Sequence, residues 1–411
     1  MAVARRSILL VAVIVAAAAL CLGAAGCAVT ASDPVAGQPR AFSLARHQFS
    51  QAADALRAGD RNAFLQRLPA DGSPASVKAR KDLAAVFDTL ARLPWRSFRF
   101  VVTPDAAFDG VYRVEGSGQL GAAGPPDRLA VVRYLRLKAV NDMAVVTADV
   151  TPANLRRRYL MALHDPVVLQ RPGLIVLADR WARDRGHEVM AAAVRGRPRL
   201  AALGIGTRPT VLVTVFGSAE DVSDALGLKA ATARMVFFSY PSLRVADGQW
   251  PTWDVGVMGP WLRDDGASVE DTLAHELAHA YTARWFAGDK RPPSLLVEGI
   301  AQAAEGLPEL SLLRREVATG DQLWPLPESF ASTDVWEGAG SEGVALGYEI
   351  GGSLVDYVVS RWGAGRLRPF VRAVAAAEPT EAGMDEALSG ALGVTWRQFY
   401  DGWRHHVLSG G

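Results

Sequence analysis

The segment LAHELAHAYT, residues 273–282, places two histidines and a glutamate inside an otherwise apolar, alanine-rich run. The chain has 411 residues and only 7 histidines, so two histidines four positions apart are unusual and indicate a shared role. An α-helix advances about 100° per residue, which brings positions i and i+4 to the same face. If this segment is helical, His275 and His279 therefore point in the same direction.

The residue types of this segment suit a zinc site. Neutral imidazole is a good zinc ligand, and the spacing lets both rings reach one ion at about 2.0–2.1 Å. Glu276 projects from the same helix toward the open side of the metal, where it can take a proton from water. Since both cysteines lie near the N-terminus, at Cys21 and Cys27, such a site must use histidine and carboxylate ligands. The alternative is a surface pair of histidines without a metal.

The sequence on either side of the histidines predicts a helix that begins after Ser268. Ser268 is a suitable N-cap, and Glu270 and Asp271 occupy the first turn, where the helix dipole favours negative charge. Leu273 and Leu277 give the helix an apolar side that can be buried. A buried helix fits the metal-site interpretation better than a surface pair does.

Two histidines alone make a poor metal site, so a third ligand is expected. The segment RPPSLLVEGIAQAAEG, residues 291–306, predicts a helix that two prolines open and a glycine closes. Glu298 lies in its first turns among apolar residues, where a lone carboxylate needs a partner such as a metal ion. A capping role, or a salt bridge near Arg291, is the alternative.

Together these two segments resemble the gluzincins, the group of zincins that includes thermolysin and a branch of zinc aminopeptidases. Gluzincins carry HExxH followed by a glutamate on the next helix, often in the form E-G-x-A. This chain has HELAH and then Glu298 in EGIAQ, with 18 residues between His279 and Glu298. The resemblance implies that His275, His279 and Glu298 bind Zn²⁺ and that Glu276 is catalytic.

The similarity covers about residues 174–407, and it includes GYEIGGSLVDYVVSRWGAGRLRPFV and ALGVTWRQFYDGWRHHV. These segments look like the peptidase MA-like family of bacterial zincins, which carry a Tyr-containing helix after the third ligand. The resemblance implies that Tyr348 donates a hydrogen bond to the developing oxyanion, although a core-facing tyrosine is an equal alternative. Gln302 and Glu305 share the helical face of Glu298. Glu305 is the better candidate for orienting a histidine ligand, with surface placement as the alternative.

The first residues have the pattern of an export signal. Arg5 and Arg6 precede an apolar run at residues 8–22, which is shorter than the about 20 residues that a membrane-spanning helix needs. LGAAGC, which ends at Cys27, resembles the lipobox of bacterial lipoproteins, in which the cysteine becomes the lipidated first residue. We therefore expect a signal peptide at residues 1–27 and a lipoprotein on the outer face of the cytoplasmic membrane. Ordinary secretion and an uncleaved N-terminal anchor are the alternatives.

Composition shifts predict an α+β protein with a linker and two domains. Residues 28–41 are rich in Ala, Pro and Gly and look like a flexible linker. Residues 42–172 predict three helices followed by four alternating strands, an order that resembles NTF2-like domains and implies a cone-shaped scaffold. For residues 173–411 the resemblance to bacterial zincins implies a zincin-like domain with a helical C-terminal subdomain. Within it, TWDVGVMGPW, residues 252–261, is expected to be the edge strand that pairs with substrate, or else a buried strand or loop.

The bulk charge narrows the class of function. The formal net charge is +1 and there is no long basic run, so nucleic acid is not expected as the main partner. We expect a zinc metallopeptidase that hydrolyses a peptide or protein substrate and is held at the membrane by its lipid anchor. The alternatives are a non-catalytic zincin-fold lipoprotein acting as a peptide-binding or assembly module, and a function carried by the N-terminal half. An intact Glu276 favours the enzyme, because a structural zinc ion has no need of it.

Overall fold

The structure is a computed structural model, and the described residues form eleven ranges. These are 40–121, 128–157, 159–163, 165–207, 210–226, 237–241, 253–259, 268–286, 293–306, 310–319 and 341–410. The predicted signal peptide and all but the last two residues of the predicted linker lie outside them. Within the described ranges, no helix combines the length and the apolar character needed to cross a bilayer.

The first unit begins with a layer of helices. They are α1 (Arg40–Ala58), α2 (Arg61–Gln66) and α3 (Pro74–Leu90). The side chains of Asp60 and Ser73 accept backbone hydrogen bonds at the starts of α2 and α3, as expected of N-cap residues. The apolar positions of α1 are buried along one side, including Phe42, Phe49 and Leu56. The three helices predicted from the sequence are therefore confirmed.

Four antiparallel strands follow and pair in the order β1-β2-β3-β4. They are β1 (Trp95–Pro104), β2 (Val111–Leu120), β3 (Arg128–Val140) and β4 (Met143–Asp149). Register shifts in each pairing show that the sheet is irregular rather than flat. The helices cover one face, where Phe42 stacks on Tyr112 with ring centroids 6.1 Å apart. The predicted α+β class is confirmed, while the NTF2-like resemblance stays a prediction.

The chain then passes through α4 (Ala153–Arg156) and a short 3₁₀ turn (Tyr159–Ala162) into a mixed sheet of order β5-β6-β7-β9-β8. Its strands are β5 (Val167–Arg171), β6 (Leu174–Ala178), β7 (Val211–Phe216), β8 (Phe237–Pro241) and β9 (Trp253–Met258). β6, β7 and β9 are parallel, and β5 and β8 are antiparallel to their neighbours. Because β5 pairs with β6, this sheet begins before the predicted domain boundary at residue 173. The division into two domains stays a prediction.

The expected edge strand at residues 252–261 is not at an edge. Its described part, β9, lies between β7 and β8, and β8 forms the edge of the sheet. Val255 and Val257 of β9 are fully buried, and Asp254 is 2% exposed. The prediction was wrong because position along the chain does not determine position in a sheet whose strands are joined by crossovers. The alternative of a buried strand is the correct one.

Both faces of the mixed sheet are buried. One face joins the apolar core of the C-terminal helices through Val176, Val213 and Val255. The other face joins the core of the N-terminal unit through Ile175, Leu212 and Met258. A strand that is buried on both faces has a nearly continuous apolar sequence, as LIVLA in β6 and VLVTVF in β7 show. The N-terminal unit therefore covers the sheet face opposite the C-terminal helices.

A buried ion pair joins the two sheets. The Arg128 guanidinium donates from Nε and Nη2 to the Asp254 carboxylate at distances of 2.7–3.1 Å. Arg128 also donates to the carbonyl of Thr210, and Asp254 accepts a hydrogen bond from the backbone N–H of Leu212. Both charged side chains are at most 4% exposed. Every oxygen of this carboxylate is thus used, which is the condition under which a buried pair is tolerated.

We expect Asp254→Asn to destabilise the chain by about 3–5 kcal/mol, because it leaves the Arg128 charge buried without a counterion. The matched control is Asp88→Asn. Asp88 pairs with Arg61 at 2.8 Å, but both side chains are about half exposed, and we expect a change below about 1 kcal/mol. Urea unfolding of both variants measures the difference. Equal losses of stability would contradict the role given to burial.

Helices make up the rest of the described chain. They are α5 (Arg183–Ala202), α6 (Ala219–Leu226), α7 (Val269–Thr282), α8 (Ser294–Glu305), α9 (Ser311–Thr319), α10 (Ser341–Trp362), α11 (Leu367–Ala376), α12 (Glu381–Leu392) and α13 (Trp396–Ser409). The Ser268 side chain caps α7 by accepting from the N–H of Asp271, as predicted. α8 ends at Gly306, whose φ of 122° suits only glycine. The two helices predicted around the histidines and Glu298 are confirmed.

Candidate metal centre

Helices α7 and α8 bring three predicted ligands together in the core. His275 and His279 lie one turn apart on α7, and Glu298 faces them from α8. The Nε2 atoms of the two histidines are 3.2 Å apart, and each of these atoms lies 3.5 Å from Oε2 of Glu298. His275 is only 3% exposed, so the triangle is largely shielded from solvent.

The dimensions of this triangle fit one zinc ion. Ligand bonds of about 2.0–2.1 Å at tetrahedral angles put donor atoms about 3.3 Å apart. The three separations, 3.2, 3.5 and 3.5 Å, bracket that value without any movement of the side chains. Within the described ranges, no fourth His, Cys, Asp or Glu side chain joins the group. Among the described residues the group thus offers three protein ligands, the number that catalytic zinc sites combine with an open fourth position.

The carboxylates of the group favour a positive charge at the centre, either a proton or a metal ion. Burial by itself lowers the pKa of His275, but hydrogen bonds with Glu298 and Glu305 outweigh burial and raise that pKa to about 10. Burial opposes ionisation of Glu298, yet the charge of His279 and hydrogen bonds from both histidines hold its pKa well below the usual range. A proton on His275 thus balances the carboxylates without a metal. A bound zinc ion would supply the same positive charge and displace that proton.

Glu305 contacts the far side of His275. Its Oε2 lies 3.1 Å from Nδ1 of His275, the ring nitrogen that points away from Glu298. A carboxylate in this position fixes the ring orientation and the tautomer in which Nε2 is free to bind metal. Gln302 does not reach a ligand in this way; its amide lies 3.4 Å from the same Glu305 oxygen. The alternative of pure surface placement for Glu305 is therefore incorrect.

We expect Glu305→Ala to weaken zinc binding by about 10–100-fold, because the His275 ring loses the acceptor that orients it. The Glu305 side chain is 25% exposed, so the fold tolerates its removal. Competition with a chromogenic chelator measures the zinc affinity. Glu386→Ala is the matched control, because Glu386 is an exposed glutamate on α12, and its zinc affinity should stay near that of the unmodified chain. Equal affinities in the two variants would exclude the orienting role.

Glu276 is a buried carboxylate on α7, the helix that carries both histidines. It is 4% exposed, and its charge acts on both His275 and the Tyr348 phenol. It does not belong to the group of three converging ligand atoms. Glu276 is therefore close to the centre, and its oxygens stay out of the triangle formed by His275, His279 and Glu298.

Tyr348 reaches the centre from a third helix, α10. Its ring centroid lies 6.3 Å from that of His275, and the residue is 8% exposed. Burial, followed by the charges of nearby glutamates and a hydrogen bond with Glu298, raises its pKa well above the ordinary value. The phenol therefore keeps its proton at neutral pH and can act as a hydrogen-bond donor.

A glycine pair lets α10 approach α8 this closely. A Cβ atom added to Gly299 would lie 2.4 Å from the carbonyl oxygen of Gly351. A Cβ atom on Gly351 would lie 2.6 Å from the carbonyl oxygen of Leu295. The two backbones are thus in direct contact next to Glu298 and one turn from Tyr348. Any larger residue at either position would push the phenol away from the third ligand.

The other histidines of the described ranges lie elsewhere. His47 contacts Gln51 on α1, and His406 pairs with Asp356 at 2.8 Å. His164 is outside the described residues. In the part of the chain that the structure describes, the group at His275, His279 and Glu298 is the one found with metal-binding geometry.

Comparisons of the chain with protein-family models, with curated proteins and with solved structures gave no match. The arguments for a function therefore rest on the residues of this chain and on their geometry.

Proposed function

We propose that the chain is a zinc metallopeptidase of the gluzincin type, with His275, His279 and Glu298 as ligands. The observation that carries the proposal is the near-equilateral triangle of their donor atoms, with sides of 3.2, 3.5 and 3.5 Å. A buried carboxylate, Glu276, accompanies it on the same helix. This set of groups supplies three ligands for a metal ion and a base for hydrolysis of a peptide bond. Among the described residues no fourth ligand joins them, so the fourth coordination position is left for water or substrate.

The chemistry of each group determines its proposed role in catalysis. Bound zinc would act as a Lewis acid on the substrate carbonyl and lower the pKa of water at the site. Glu276 accepts the proton of the attacking water on a carboxylate oxygen and later passes it to the leaving amine. Burial of Glu276 keeps this proton from exchanging with bulk water during the reaction. Glu305 holds the His275 ring in its binding tautomer throughout.

Tyr348 is the proposed donor to the oxyanion. Its raised pKa keeps the hydroxyl protonated, so it can donate to the oxygen of the substrate carbonyl as negative charge develops there. In the resting site it hydrogen-bonds with Glu298, which holds the ring next to the metal-binding triangle. The alternative is a core-facing tyrosine, which the burial of Tyr348 also fits.

We expect Tyr348→Phe to lower kcat by about 10²–10³-fold with little change in zinc content, because a transition-state donor is lost while the ligands remain. Tyr357→Phe is the matched control. Tyr357 is buried on the same helix but packs against Trp362 and Phe399, away from the site. Steady-state kinetics on one peptide substrate compare the two variants. A Tyr348→Phe chain with unmodified kcat would support the core-facing alternative.

The proposed setting is outside the cytoplasmic membrane. The signal-like segment and Cys27 in LGAAGC support an exported lipoprotein, with secretion as the second route. A peptide or protein outside the cell is the corresponding substrate. The competing proposal is a non-catalytic zincin-fold lipoprotein that binds zinc and peptides without cleaving them. Glu276 beside the ligands favours the enzyme over this alternative, because a structural zinc ion has no need of a general base.

The proposal is tested by metal content and peptide cleavage together. The purified full chain should contain about one zinc per molecule by elemental analysis, and it should cleave members of a peptide library. Chelation should remove both the metal and the activity, and added zinc should restore them. A chain that binds zinc but cleaves nothing would favour the binding module. A folded chain that takes up no zinc would refute both.

A further inference from the structure

The end of α8 carries the residue that orients His275. Glu305 is the last residue of this helix, and the chain turns away at Gly306. The last carbonyl groups of a helix lack partners within it and are free to move as the end frays. The side chain that lies 3.1 Å from the ring nitrogen of His275 therefore sits at a helix end, where the helix itself leaves the last carbonyl groups without partners. Gln302 contacts the Glu305 carboxylate from within α8, but the backbone carbonyl of Glu305 is held from outside this helix.

Arg199, on α5, makes that connection. Its Nη1 donates to the backbone carbonyl of Glu305 at 2.6 Å. The same atom donates to the carboxylate of Asp271 in the first turn of α7, and Nη2 lies 3.7 Å from Glu270. Arginine commonly caps the last carbonyl groups of a helix in this way. One guanidinium therefore spans the start of the helix with the histidines and the end of the helix with Glu298.

We propose that Arg199 is a positioning residue of the metal centre, which acts by fixing Glu305 against His275. The inference rests on the proposed zinc site. Arg199 lies outside the metal-binding triangle and does not contact a ligand; its effect passes through the backbone of Glu305 and the carboxylate–imidazole contact. The Arg199 guanidinium links α7 to α8 at the end where Glu305 contacts His275.

A neighbour on α5 provides a control for ordinary salt bridging. Arg195 donates from Nε to Glu270 at 2.7 Å and so also ties α5 to the first turn of α7. Among the described residues, Arg195 makes no hydrogen bond or ion pair with α8. Arg195 and Arg199 are 60% and 39% exposed, so neither ion pair contributes much to folding. Both alanine variants should fold, which circular dichroism and thermal unfolding verify.

The first experiment compares Arg199→Ala with Arg195→Ala. We expect Arg199→Ala to weaken zinc binding by about tenfold and Arg195→Ala by less than about twofold. The visible absorption of the cobalt(II)-loaded chain should change in the first variant and stay unchanged in the second, since it reports ligand geometry. Arg199→Lys keeps the charge but only one donor nitrogen, and because Nη1 alone makes both short contacts of Arg199, this variant should recover part of the affinity. Equal effects of the two alanine variants, or no effect of Arg199→Ala, would overturn the inference.

A double-mutant cycle tests the route of the effect. If Arg199 acts through Glu305, adding Arg199→Ala to the Glu305→Ala chain should change zinc affinity by less than about twofold. Additive losses would show that Arg199 does not act through Glu305, and this inference would fail while the zinc site stands. If the unmodified chain binds no zinc, the proposed function fails first, and the inference falls with it.

Discussion

Replacing Glu276 with glutamine is expected to lower kcat for peptide hydrolysis by about 10²–10⁴-fold, while the chain still binds zinc. Glutamine has the shape of glutamate but cannot accept the proton of the attacking water at neutral pH. Glu276 lies outside the group of converging ligand atoms, so its replacement leaves those three side chains in place. The loss should therefore fall on kcat rather than on metal content.

The measurement pairs single-substrate kinetics with zinc analysis of the same preparation. Glu386→Gln is the matched control, because Glu386 is exposed on α12 and its change should leave kcat within about twofold of the unmodified value. A Glu276→Gln chain that cleaves as fast as the unmodified one would remove the assigned role. A variant that has lost its zinc would show that Glu276 belongs to the ligand set.

The local part of the site could be predicted because its signals are local. The i, i+4 histidine spacing, the Ser268 cap and the acidic first turn all point to one helix, and that helix forms as expected. The same holds for α8, whose glycine stop and apolar side follow from a short segment. To predict Glu298 as the third ligand, one additional assumption was needed, namely that a lone carboxylate among apolar residues has a partner.

The contacts between distant elements could not be predicted in this way. Arg199 precedes Glu305 by 106 residues, and no periodicity or motif relates them. The Arg128 and Asp254 pair is separated by 126 residues and depends on how the two sheets pack. The position of β9 within its sheet depends on crossovers between strands, which the sequence pattern does not encode. These features arise from tertiary packing, in which many arrangements satisfy the same local pattern.

Replacing Glu298 with glutamine is the second change with a large expected effect, and it acts on the metal rather than on the proton. The amide oxygen of glutamine is an uncharged and weaker metal ligand than a carboxylate, so the two histidines remain as the main ligands. Loss of a group that only orients a ligand costs about 10–100-fold in affinity, so loss of the charge on a ligand should cost at least about 100-fold. Activity at limiting zinc should fall in parallel.

Thermodynamic linkage gives this prediction a readout that does not depend on activity. At a zinc concentration about 100 times the dissociation constant, the unmodified chain gains about 2.7 kcal/mol of stability. If Glu298→Gln raises the dissociation constant by about 100-fold, the same concentration gives about RT ln 2, or about 0.4 kcal/mol. Chemical unfolding with and without zinc measures both gains, and Glu386→Gln serves again as the control. Because each chain is compared with itself, a general loss of stability cannot imitate the result. An undiminished gain in the Glu298→Gln chain would mean that zinc binds without this carboxylate, and the proposed third ligand would then be wrong.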